Sequence, residues 1–165
     1  MVKTKQPLEQ DKVTKIVINV GVGRLSSQSS FDEKILPGII KDLSLITGQR
    51  PVVCKAKKSI AGFKIRAGQA VGLKVTLRGH RMADFLERLI KITLPRLRDF
   101  RGVDFKNIDS GGNLTIGLKE QTVFSEITPE NSLIDFGLEI TIVSNAKDKE
   151  GAIELYKKLK IPLKK

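Results

Sequence analysis

Between Asp42 and Asp84 the chain carries nine cations and no acid: Arg50, Lys55, Lys57, Lys58, Lys64, Arg66, Lys74, Arg78 and Arg81. The formal net charge is +12, and outside this window 21 cations stand against 18 acids. The excess is therefore local, and a local excess reads as a binding face for a polyanion. A surface serving solubility alone mixes the two signs. Neutralising five phosphates would give a log–log salt slope of roughly −3.5 to −4.5. Gly62, Gly68 and Gly72 punctuate the window and allow close backbone approach. Phe63 stands between Gly62 and Lys64. It either stacks on a base or anchors its loop in the core.

Other chemistries find less support. GVGRLS at 21–26 follows a strand pattern, but Ser26 stands where a dinucleotide loop needs its third glycine, and no Walker lysine follows. These glycines read as a turn requiring positive φ. Cys54 and His80 are the only cysteine and histidine, so neither a metal set at ligand spacing nor a catalytic triad can be assembled. Asp99, Asp104 and Asp109 alternate with Arg96, Arg98 and Arg101 and read as salt-bridged loop charges and turn caps. No catalytic residue, metal or cofactor is expected. One cysteine fits a reducing compartment, and neither a targeting pattern nor an apolar run of membrane-spanning length is present.

The elements that must position the cations follow from periodicity. KIVINV at 15–20 reads as a strand. Ile35, Leu36, Ile39, Ile40, Leu43 and Ile46 form a helical stripe. Pro37 interrupts it, so the helix is expected to start there, and Thr47-Gly48 closes it. PVVCKA at 51–56 is a second strand, residues 59–72 an extended, mobile loop or hairpin tip, and LKVTLRG at 73–79 a third strand. Met82, Phe85, Leu86, Leu89, Ile90 and Leu94 form a second helix ended by Pro95, with His80 at its start. A polar, turn-rich connection leads to LTIGLKE and LIDFGLEITIVSN, both strands, and a final helix spans 147–159. The expectation is one α+β domain over residues 1–165, two-layered. Its sheet is mainly antiparallel with helices on one face, it bears a glycine-rich basic loop, and a short polar leader covers 1–14.

Cations on loops and strands, without a helix-turn-helix, suit folded RNA better than DNA. Asn19 and Thr76 are polar interruptions that either meet RNA or reflect ordinary strand alternation. A free RNA-binding chaperone or regulator is one such reading. A phosphoryl-transfer or nuclease-type enzyme would need clustered carboxylates, which the sequence does not offer.

KIVINVGVG, LITGQRPVVCKAKKSIAGFKIRAGQAVGLKVTLRG, RMADFLERLI, LPRLRDFRGV, GNLTIGLKEQ and LEITIVSNAK, in this order, closely resemble the bacterial-type large-subunit ribosomal protein L-five family. The resemblance implies a place in the central protuberance of the cytoplasmic large subunit. The partners it implies are 5S rRNA, large-subunit rRNA, P-site tRNA, neighbouring large-subunit proteins and a small-subunit head protein. It assigns 5S rRNA contacts to Asn19, Gln49 and Thr76. Lys55, Lys57 and Lys58, with Arg78, fall on the RNA-facing surface. The loop bearing Ser59, Gly62, Phe63, Lys64, Arg66 and Gly68 would approach tRNA. The sequence departs from the pattern at its short polar leader, at SGGN (110–113), at His80 and at Ser125.

Overall fold

A computed structural model describes residues 13–28, 30–98, 100–128, 130, 132, 134–146 and 148–164. The polar leader expected at 1–14 lies almost wholly outside them. The fold is α+β. Its main sheet has five strands, β1 (Val13–Gly21), β2 (Val52–Lys55), β3 (Ala70–Leu77), β5 (Leu114–Leu118) and β6 (Leu138–Ser144), in the order β2-β3-β1-β6-β5 and mainly antiparallel. A short parallel pair joins β4 (Val103–Asp104) to β7 (Leu163–Lys164). The expected polar connection thus contains a strand, too short to leave a periodic signal. It was missed along with its partner β7.

The chain divides into two compact units, one comprising Val17–Leu77 and Gly117–Ile140, the other the remainder. In the first, α1 (Leu36–Thr47) buries Ile39, Leu43 and Ile46, and the strands bury Ile18, Val20, Leu73, Val75 and Leu77. Each such side chain removed from water is worth about 1.5–3 kcal/mol. In the second, α2 (Gly79–Arg88) buries Met82, Phe85 and Leu86, with His80 in its first turn as expected. There, α4 (Lys149–Lys158) buries Ala152, Leu155 and Tyr156, and its N-cap Asp148 accepts the Gly151 N–H at 2.7 Å. Lys147, expected to open this helix, is not among the described residues.

The α-helix expected to start at Pro37 begins within one residue of it, at Leu36, and Pro95 likewise sits early in an α turn; each of these turns follows a π-helical one. A π turn at Phe31–Ile35 precedes α1, and the Leu36 N–H bonds the Phe31 carbonyl. Another at Leu89–Thr93 links α2 to the single turn α3 (Leu94–Arg96), and the Leu94 N–H bonds the Leu89 carbonyl. Pro37 and Pro95 then occupy early positions of a fresh α turn, where a missing N–H costs little. The widened turn before each relieves the clash of its ring with the preceding carbonyls. The helical run then stops at Arg96, one residue past the end expected at Pro95. Gly48 closes α1 in the left-handed region, φ 65°, donating to the Ser44 carbonyl at 2.8 Å.

Of the carboxylates that could suggest a metal, Asp104 and Asp109 cap turns. Asp104 accepts the Lys106 N–H at 3.0 Å. Asp109 accepts the backbone and side-chain amides of Asn113, both at 2.8 Å, and these bonds hold its pKa below the usual carboxylate value. Asp99 lies outside the described residues, among which no group of acids, cysteines and histidines could hold a metal.

Candidate nucleic-acid interface

Burial alternates along β3: Leu73, Val75 and Leu77 face the core, while Lys74 is exposed and Thr76 half-buried on the outer face. In the antiparallel register Val52 stands opposite Lys74 and Cys54 opposite Gly72, so these share that outer face. Val52 is 63% exposed. On the neighbouring strand β1, Asn19 is half-buried between Ile18 and Val20, both of which point into the core. Asn19 therefore looks outward from the same side of the sheet as Thr76. Gln49, just beyond the Gly48 cap, donates its Nε2 to the Thr76 carbonyl at 3.3 Å. The three polar residues singled out from the sequence are thus gathered on or beside one sheet face.

A bulge breaks the register between Cys54 and Lys55, which pairs with Ala70. Bulges twist a strand and re-aim its side chains. The extra residue, Val71, lies on β3, and opposite it Lys55, Lys57 and Lys58 leave the sheet, all three exposed. Residues 56–69 form a hairpin extension with hydrogen bonds of its own. The Ala56 N–H bonds Gln69 O at 2.8 Å, Gly68 N–H bonds Ala56 O at 2.9 Å, and Ile60 and Ile65 exchange bonds at 2.8 and 3.1 Å. Ser59 Oγ accepts the Ala67 N–H at 2.9 Å. Of the two forms expected for this segment, an extended, mobile loop or a hairpin tip, the structure takes the second, with a short 3₁₀ turn at Ala61–Phe63 and Lys64 in the left-handed region at φ 53°. Phe63 is 76% exposed. It does not anchor the loop in the core.

The glycines of the tip differ. Gly68 has φ +84° and needs to be glycine, whereas Gly62 has ordinary φ and open space where a Cβ would stand. Gly21 and Gly23 also lack positive φ. The turn predicted from GVG does not need it, because the strand ladder runs on: the Val22 N–H bonds Val71 O at 3.0 Å. These two glycines instead line an open groove of about 570 Å³ with Arg24, Ser27, Phe63, Lys64 and Ile65. Arg24 is the cation that sequence reading missed. It lies far along the chain from Lys64, and only its place directly after a strand hinted at a role.

Among the described residues no acid lies within ion-pair reach of Arg50, Lys55, Lys57, Lys58, Lys64, Arg66 or Lys74, which belong to one unit. Arg78 and Arg81 lie in the other, both exposed, at the N-cap and in the first turn of α2. Within their own unit, Arg50 to Lys74 offer positive charge with no described acid partner, on a folded support edged by directional amide and hydroxyl groups.

Two family matches cover nearly the whole chain: ribosomal protein L5 over residues 7–66, and the C-terminus of the same ribosomal family over residues 70–163. The chain belongs to the ribosomal protein L5 family. A protein of Syntrophomonas wolfei named large ribosomal subunit protein uL5 is 48% identical over 95% of this chain and 86% of its own length. One of the same name from Bifidobacterium longum is 46% identical over 98% of the chain and 83% of its own. The L5 family is structural and non-enzymatic. That agrees with a site made of cations and hydrogen-bonding groups.

Proposed function

We propose that the protein is a structural component of the large ribosomal subunit in the cytoplasm and binds 5S rRNA in the central protuberance. In this reading Asn19, Gln49 and Thr76 give directional hydrogen bonds from the sheet, while Lys55, Lys57, Lys58 and Arg78 neutralise phosphates. The tip carrying Ser59, Gly62, Phe63, Lys64, Arg66 and Gly68 reaches P-site tRNA, where Phe63 offers a stacking face. Large-subunit rRNA, neighbouring proteins and a small-subunit head protein complete the surroundings. The supporting observation is the set of exposed cations that no described acid neutralises. Names of relatives in the same family point to the large subunit.

The test is 5S rRNA binding as a function of salt. Reversing Lys55, Lys57 and Lys58 to Glu together should abolish binding at moderate salt while leaving the circular dichroism unchanged, since all three side chains are exposed. Losing three phosphate contacts flattens the log–log salt slope by roughly 2–3. A folded triple variant that bound as tightly as wild type would refute the reading. Washing ribosomes at high salt separates a resident subunit protein, which stays, from a loosely held RNA chaperone, which leaves.

A further inference from the structure

A hairpin that projects from a sheet needs something to set its direction. The bonds inside residues 56–69 fix the shape of the hairpin and say nothing of its angle to the sheet. Phe63 at the tip is too exposed to act as an anchor. The side chain of Gln69 does reach another segment. Its Nε2 donates to the carbonyl and to the hydroxyl of Ser26, both at 2.9 Å. Its Oε1 accepts the Arg66 N–H at 2.9 Å. The orientation of this amide is unambiguous, because a backbone N–H can only donate and a carbonyl can only accept. Ser26 is itself held twice, by its N–H to Val22 O at 2.9 Å and by its Oγ to Gly23 O at 2.7 Å.

We propose that Gln69 is a positioning residue: by tying the Arg66 backbone to the Ser26 turn, it fixes the angle at which the basic hairpin leaves the sheet and holds Phe63 and Lys64 across the groove from Arg24. A planar amide suits this role because it presents an acceptor to one segment and donors to the other. Glutamate has nearly the same shape and keeps the acceptor for Arg66, but it puts an oxygen against the Ser26 carbonyl. Orientation fixed before binding spares the ordering cost that a loose loop incurs when it meets a partner. That this partner is RNA rests on the function proposed above; the latch itself does not.

Backbone ¹⁵N relaxation on the full chain tests the latch without RNA. In wild type the order parameters of the tip amides at 61–64 should match those of β3, roughly 0.85. In Gln69→Ala and Gln69→Glu they should fall below about 0.6 while β3 stays rigid. Ser26→Ala, which removes one of two acceptors, should give a smaller fall. Unchanged tip order in the two Gln69 variants would overturn the proposal, and so would a loss of order shared equally by the sheet. Lys64→Glu, run beside them for RNA affinity, tests the RNA reading alone: failure of that reading leaves the relaxation result standing.

Discussion

Tyr156 shows how much one side chain can hold. It is fully buried, and its hydroxyl donates toward the Gly112 carbonyl at 2.6 Å and the Ile142 carbonyl at 3.2 Å. Burial pushes its pKa up from 10.0 to about 12. The folded value lies above the unfolded one, so the associated stability is fully present below pH 10 and is lost as pH rises through about 12. The chain has one tyrosine and no tryptophan, so absorbance near the phenolate band reports this group alone. The folded protein should titrate near pH 12 and the denatured protein near 10; a folded value near 10 would show the hydroxyl to be open to water. Tyr156→Phe should cost about 1 kcal/mol in urea denaturation, because Ser144 Oγ still serves the Gly112 carbonyl at 2.8 Å. At the same scale Asn19 and Thr76 stood out in the sequence as polar interruptions, and Gln49 came only through the family resemblance. That Asn19 and Thr76 look outward followed from strand alternation alone.

The hairpin between β2 and β3 is the element on which the functional reading turns, and its two tip glycines separate fold from flexibility. Gly68→Ala places a Cβ at φ +84°, which should cost about 1–2 kcal/mol and loosen the base of the hairpin. Gly62→Ala meets open space at ordinary φ and should be neutral or stabilising by ~0.4–1 kcal/mol through the unfolded chain. Thermal melts of the two variants check the contrast, and equal destabilisation would contradict it. Composition alone marks both positions as breakers, because residue type reports permissiveness and not the φ adopted. The prolines teach the same lesson for helices. Pro37 and Pro95 signal interruption, and the π turn before each changes what interruption means.

Across the whole molecule the charge of +12 sets a cost as well as a purpose. Clustered like charges repel one another, and without RNA only salt screens them. Raising ionic strength from 0.01 to 0.15 M shortens the Debye length from about 30 to about 8 Å. The free protein should therefore melt at higher temperature in 0.15 M than in 0.01 M NaCl, while its affinity for RNA falls over the same range. A melting temperature indifferent to salt would mean that the cations are already compensated.

The order of amino acids by itself determined the α+β class, the amphipathic helices, the acid-free basic window and the L5 resemblance, because all of these are local periodicities or contiguous blocks. Only the tertiary structure decided that Phe63 is exposed, that Arg24 joins Phe63 and Lys64 at one groove, that Gln69 grips Ser26, and that the two-residue strands Val103–Asp104 and Leu163–Lys164 pair. Each of these depends on contacts between residues distant along the chain. Such contacts arise from burying the apolar faces against one another, and they leave no period in the sequence.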